Sequence, residues 1–253
     1  MAANLILPAG SAAAADSTPA ADPVVRSLRF NRANNSALYI DPTVNHDSTT
    51  VFTFSCWVKL GETGATTYNV FSAGHYTSSS NQSHIHIGFL SDYKLRVALR
   101  STADGVNQSY SSTALFRDPT AWYAVTLVRN GTSLKAYVNN VEVISQTIAT
   151  TAYGVGNGWP MHVGANLKHT SSSITNHYCF DGLIADAYFI DGEAKSPTDF
   201  IQLGDYGNYI PKEYTGSFGT NGFHCDAQVA NDRDLLVSSI DRNDGDTTFA
   251  DAA

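Results

Sequence analysis

The amino-acid sequence predicts an all-β protein, a sandwich or barrel built from short strands. Three observations lead there. Stretches of alternating apolar and polar residues recur along the chain, turn signals separate them roughly every ten residues, and no segment keeps a helical period beyond a turn or two. Composition fits: apolar residues make up 43% of the 253, enough for a sizeable core, and charged residues only 15%, against a usual share of about a quarter. Surface polarity therefore falls to Ser, Thr, Asn and Gln, and Thr and the aromatics suit a pleated sheet. The length fits one sandwich with extensions.

Residues 1–25 are rich in Ala, Pro and Ser, and Pro8, Pro19 and Pro23 exclude a long helix, so they read as a flexible or docking arm. Small residues here resemble a signal cleavage site, but no Lys or Arg precedes Arg26 and Pro8 and Gly10 cut the apolar run short, so the expectation is a retained arm. The folded unit is expected over 26–200. It opens with two short strands around an Asn-rich turn in "LRFNRANNSALYI". In "VFTFSCWVKL" Phe52, Phe54, Cys56 and Val58 share one face and Thr53, Ser55, Trp57 and Lys59 the other. "HIHIGFL" leads to "KLRVALR", where Leu95, Val97 and Leu99 point inward and Lys94, Arg96, Ala98 and Arg100 outward, as in a sheet with one wet face. "WYAVTLVRN" and "SLKAYVNN" form a hairpin, and "NNVEVISQ" follows a second turn at Asn139-Asn140, where Asn tolerates positive φ. "WPMHVGA" and "LIADAYFIDG" complete the set. The one helical candidate is "SPTDFIQLG", with Ser196 as cap and Pro197 at the first helical position. Residues 201–253 read as a C-terminal extension ending in an acidic tail, in which "LLVSSI" has strand character.

A formal net charge of -8 with no run of Lys or Arg argues against nucleic acid and against an anionic membrane surface as partners. No window approaches the roughly 18 continuous apolar residues of a membrane span. Cys56, Cys179 and Cys225 are widely spaced in apolar or aromatic settings, without a CxxC, and read as small buried hydrophobes rather than a disulfide framework or a nucleophile. A glycosidase on a β-sandwich needs two carboxylates a few ångströms apart. Of the four glutamates only Glu193 has an acidic residue two positions away, Asp191, and Gly192 between them marks a turn rather than a strand face; no nucleophile elbow or phosphate loop occurs. The expectation is a protein that is not an enzyme.

Three segments, "FTFSCWVKL", "WYAVTLVRNGTSLKAYVNN" and "FDGLIADAYFIDGEAKSPTDF", resemble in order the strands of a concanavalin A-like jelly-roll β-sandwich of the laminin-G/pentraxin type. The match runs through Trp57-Val58, Trp122 to Gly131, Tyr137-Val138-Asn139 and Gly182 to Ser196, with Asn140 departing from the usual Gly. The resemblance covers roughly 26–200 and implies two antiparallel sheets packed face to face, with extended N- and C-terminal segments. A narrower likeness joins "YFIDGEAKSPTDF" and "IPKEYTGSFGTNGFHCD" to virion structural proteins of tailed bacteriophages, with Cys225 and Ala227 where that pattern has Leu and Phe. It implies a virion location, other virion proteins (capsid or tail) as partners, a homo-oligomer, and display of the jelly roll as a capsid decoration or tail fibre, aiding host adhesion.

The alternative function is a carbohydrate-binding, lectin-like module for a host-surface glycan. The candidate glycan contacts are Tyr153, Asn157 and Trp159 in a Gly-rich loop and Tyr76 and Asn81 in "GHYTSSSNQSH". Trp159-Pro160 serves equally as a core plug entering a strand. No cofactor is called for by a motif. Calcium is a candidate only through the resemblance, which places Asp186 at the closing-strand acid position with Asp181 and Asp191 flanking it. The competing reading has Asp186 tie the sheet and Asp191-Gly192 form a plain turn. His84 and His86 lie on one strand face, and without a third ligand they read as a solvated face; His75, His162, His169 and His177 fall in polar loops. The Asn-x-Ser/Thr sites at Asn34, Asn81, Asn107 and Asn130 are at chance level in a chain of this composition.

Overall fold

The computed structural model describes residues 27–34, 36–40, 42, 44–61, 67–78, 81–155, 159–170, 173–225 and 240–242, without the side chains of 77, 167–177 and 240–242. The arm over 1–25, Asn157 and nearly all of the acidic tail lie outside these residues.

Eighteen strands occur among the described residues: β1 (Leu28–Phe30), β2 (Leu38–Ile40), β3 (Val51–Leu60), β4 (Tyr68–Ser78), β5 (Asn81–Phe89), β6 (Lys94–Ser101), β7 (Val106–Leu115), β8 (Tyr123–Asn130), β9 (Ser133–Val138), β10 (Val141–Thr147), β11 (Met161–Val163), β12 (Asn166–Thr170), β13 (Ser173–His177), β14 (Gly182–Asp191), β15 (Ile201–Leu203), β16 (Tyr209–Pro211), β17 (Phe223–Cys225) and β18 (Ile240–Arg242). One sheet runs β10-β9-β8-β3-β14-β17-β18, with β1 also paired to β14; the second runs β2-β11-β4-β5-β6-β7. Every pair is antiparallel. β12 and β13 form a separate hairpin, as do β15 and β16. The expected all-β sandwich is the observed architecture.

The two sheets close on an aromatic core. Phe54 of β3 stacks on Phe71 of β4 at 4.2 Å between ring centroids, and Phe189 of β14 lies 5.7 Å from Phe71. Burying such a ring is worth about 2–3 kcal/mol relative to leaving it in water. Phe52, Phe54, Cys56 and Val58 face this core as the alternation predicts. The other face of β3 is a correction: Thr53, Ser55 and Trp57 are buried too. A second apolar layer covers them, in which Trp57, Ala124, Ala185, Tyr188 and Ile190 meet Phe200, Ile201 and Tyr214 from the C-terminal extension.

That extension is held by a short start and a polar staple. Of the helix expected in "SPTDFIQLG" only a 3-10 turn forms, Pro197–Asp199, with Ser196 and Asp199 as a reciprocal capping box. The chain then turns extended, which lays Phe200 against Tyr188 at 5.3 Å and Tyr214 against Phe200 at 5.2 Å. Further on, Asp191 Oδ2 accepts from the backbone N–H of Asp47 at 3.0 Å and of Asn221 at 3.2 Å and lies 3.2 Å from His46 Nδ1. Asp47 accepts from Thr220 through both its backbone N–H and its hydroxyl. Gly219 sits at φ +80° against the Asp191 carbonyl, where a Cβ has no room. The "FIDG" and "GTNGF" segments are therefore two halves of one clamp.

All three cysteines are buried, and burial pushes the Cys56 thiol well up and that of Cys179 up to about 11. They pack as small apolar residues, as expected.

Candidate functional site

The six strands β2, β11, β4, β5, β6 and β7 contain no Asp or Glu, although the chain has 23. They do contain Lys94, Arg96, Arg100 and four histidines. Cross-strand register sorts these residues by face, because directly opposed residues share one. His84 opposes Arg100, His86 opposes Ala98 and Gly88 opposes Arg96 across β5 and β6. On the next strand Asn107, Ser109 and Ser111 oppose Arg100, Ala98 and Arg96. Ser72 and His162 extend the His86 row through β4 and β11. All of these point away from the core, since their neighbours Ile85, Ile87, Val97 and Leu99 fill it.

The expected inward and outward residues of β6 are thus as read from the sequence. The reading of His84 and His86 as a solvated face is corrected: both are buried. Their rings stack at 5.4 Å, and long side chains from β6 and the foot of the β12–β13 hairpin lie over them. Arg96 Nη2 donates to His86 Nε2 at 3.0 Å, and the Asn166 amide reaches His86 Nδ1 at 3.5 Å. An imidazole that accepts at Nε2 carries its proton on Nδ1, which requires the Asn166 amide to turn its oxygen toward that nitrogen. Burial first, then His84 and the two arginines, hold His86 well below the ordinary histidine range. His84 is lowered to about 4, by burial first and then by Arg100. Both rings are neutral at pH 7, and the charge of the face belongs to Arg96 and Arg100.

Those two cations differ from four others. Arg29, Lys94, Lys135 and Lys195 each sit against a carboxylate: Asp181, Asp92, Glu142 and Glu193. Among the described residues Arg96 and Arg100 have no ion pair. Arg100 Nη1 is held by the carbonyls of Leu99 at 2.9 Å and Gln108 at 2.7 Å, and Arg96 Nε is buried with no partner among the described residues. Each guanidinium is pushed below its ordinary value by burial, and Arg96 further by Arg100. Beside them Asn107, Ser109, Ser111 and Tyr178 are exposed.

The two segments predicted to touch glycan meet at one end of this sheet. Gly74 N donates to Pro160 O at 2.9 Å, and Gly74 and Gly154 pack backbone to backbone, leaving no space for a Cβ at either. His75 sits between them, with Trp159 edge-on at 4.6 Å and Asn81 Oδ1 at 3.2 Å from its Nε2. Tyr76, on the opposite face from His75, lies edge-on to His84 at 6.3 Å and so borders the imidazole row. Trp159 and Tyr76 are partly exposed and Asn81 is exposed. Tyr153 is a correction: it is fully buried, under the Arg129 guanidinium at 5.1 Å, and cannot touch a ligand. Arg129, also fully buried, donates to the carbonyls of Thr49, Gly131, Ala149 and Thr151, so the pair pins the loop that leads to Trp159. Asn157 lies outside the described residues.

The acidic candidates are not gathered. Asp181 pairs with Arg29 at 2.9 Å, Asp186 sits at φ +46° in a bulge of β14 with His224 Nε2 3.4 Å away, and Asp191 is the buried centre of the clamp. No group of three or more His, Cys, Asp or Glu side chains is arranged around a common point among the described residues.

Sequence reasoning placed Arg96 and Arg100 outward but did not read them as functional. The signal was available: a set of strands without one carboxylate in an acidic protein. It becomes visible only when strands are grouped by sheet, since Asp92 and Asp104 interrupt the same stretch in its turns.

Residues 32–199 match the family described as the concanavalin A-like lectin/glucanases superfamily. No curated protein sequence matches the chain. Among solved structures, the K499G mutant of NanB sialidase from Streptococcus pneumoniae is similar at 18% identity and a TM-score of 0.54, over 70% of this chain and 28% of that one. A heptameric SAP-like pentraxin from Limulus polyphemus gives 17%, 0.44, 69% and 70%, and the Ruminococcus gnavus IT-sialidase CBM40 gives 14%, 0.46, 65% and 96%. The chain belongs to the concanavalin A-like lectin/glucanases superfamily.

Proposed function

We propose that this chain is a carbohydrate-binding domain and not an enzyme, with its glycan site on the outer face of the six-stranded sheet. One observation carries the reading: this face sets the partly exposed ring of Tyr76 and the exposed Asn107, Ser109 and Ser111 beside the guanidiniums of Arg96 and Arg100, while Trp159 and the amide of Asn81 meet over His75 at the end of the same sheet. Flat apolar surface beside fixed hydrogen-bonding groups is what a sugar ring requires. Family membership supports the same reading. The strands of this sheet supply no carboxylate, so a pair for glycosidic cleavage has no source there. A glycan array probed with the full chain, with and without a chelator, tests this. Defined hits lost in Trp159→Ala support it, and loss with chelator adds calcium. A blank array overturns it.

A second reading, display on a tailed-phage particle beside other virion proteins as a homo-oligomer, rests on the likeness of residues 188–226 alone. Within the chain that segment forms the Asp191–Asn221 clamp. Quantitative mass spectrometry of purified particles tests it: a regular fraction of the major capsid protein's copy number supports display, and absence from the particle overturns it.

A further inference from the structure

We propose that the site on β6 and β7 selects an acidic glycan, and one that carries at least two negative groups along its chain rather than a single one at its end. This rests on the glycan reading above and names its ligand class. Three observations lead to it.

The first is charge without a counter-charge. Arg96 and Arg100 are part-buried, their mutual influence disfavours both being charged, and they have no ion pair among the described residues. Two part-buried guanidiniums without a counter-charge are each stabilised by an anion that pairs with them.

The second is the buried polar support. His84 is only 6% exposed, and its Nδ1 has no partner among the described residues, as is true of Arg96 Nε. Polar atoms left this way cost free energy in the empty site and offer hydrogen bonds to an occupant.

The third is spacing. Arg96 and Arg100 are four residues apart on one strand, about 13 Å from Cα to Cα at strand rise. Ala98 between them and the row Asn107, Ser109, Ser111 alongside them project little. A chain lying along β6 meets both cations in turn, whereas one terminal acid group meets one. Carboxylates and sulfate esters share the needed chemistry.

Calorimetric titration of the full chain tests the proposal with four probes: an oligogalacturonate, its carboxyl-reduced neutral counterpart, a chondroitin sulfate oligosaccharide, and monomeric galacturonate. The expected result is binding of at least one acidic oligosaccharide, at least tenfold tighter than the neutral one or the monomer, and weakened by added salt. Arg96→Gln and Arg100→Gln each lower it tenfold or more with unchanged melting temperature, while Lys135→Gln on the other sheet has no effect. Binding of the oligogalacturonate means that carboxylates suffice, and binding of the chondroitin sulfate alone, which carries both groups, means that sulfate esters are required. Equal binding of the neutral oligosaccharide, insensitive to both arginine variants, overturns the proposal and leaves the glycan reading standing. Binding of the monomer as tightly as the oligomer overturns the two-charge part. No binding to any probe, with a blank neutral-glycan array, overturns both readings together.

Discussion

Trp57, Tyr188 and Ile190 of the eight-stranded sheet point away from the central core and are nonetheless buried, because Phe200, Ile201 and Tyr214 fold back over them. Arg96 and Arg100 of the six-stranded sheet also point away from the core and reach solvent beside Asn107, Ser109 and Ser111. The same alternation of strand residues thus ends in two different surfaces. One sheet spends its outer face on a second apolar layer that anchors the extension, and the other keeps a charged polar face that lacks carboxylates. A face sealed by its own chain contributes stability; a face left open with unbalanced charge is where a ligand contributes instead.

The largest way to sharpen this contrast is on the sealed side. Tyr188→Ala removes a ring packed against Phe200, Phe218 and His224 and is expected to cost about 3–5 kcal/mol. Urea unfolding measures it, and glycan binding per folded molecule should stay unchanged; a parallel loss of binding would mean that the two faces are coupled through the core.

A smaller effect concerns pH on the open side. His84 has its folded pKa at about 4, below the ordinary 6.5. Its contribution is therefore fully present above pH 6.5, is lost as pH falls from 6.5 to 4 because the unfolded chain takes the proton first, and is level below that. At about 1.4 kcal/mol per pH unit this amounts to at most about 3 kcal/mol, and His86 acts in the same direction. His84→Asn should flatten that limb of a stability-versus-pH curve, and an unaltered curve would mean that the ring is not desolvated.

Next is the clamp. Asp191→Asn keeps the shape but weakens bonds to Asp47, Asn221 and His46, for an expected loss of about 1–3 kcal/mol. Hydrogen exchange should rise first in residues 218–223; a uniform rise across the sandwich would mean that the clamp holds the core and not the extension. The smallest stability effect belongs to Arg100→Gln, expected within about 1 kcal/mol of the parent, since the lost carbonyl bonds are offset by relief of repulsion with Arg96. A large fall in melting temperature would make Arg100 a structural residue.

Much of this was legible before folding. Strand positions and the inward set of β3, β5 and β6 follow from a two-residue period, which is a local property of the chain. The burial of Trp57 and Ser55 was not legible, because it depends on residues 200–218 crossing the far side of the sheet. Tyr153 read as exposed for a related reason. A Gly-rich loop is usually open, and here a buried arginine from β8 draws it inward. His84 and His86 read as solvated because their covering, Arg96, Arg100 and the hairpin foot, comes from two separate segments.

By itself the sequence determined the fold class and the alternation within each strand. Each is a matter of local period or of composition, and local backbone preference reads them directly. Only the tertiary structure decided which strands share a sheet and so which face is free of carboxylates, which outer face is sealed, that Asp191 meets Asp47 and Asn221, and that Tyr76 stands on the arginine face while Asn81 and Trp159 meet at the end of the same sheet. Those are contacts between residues far apart in the chain, and only the packing of both sheets around one core brings them together.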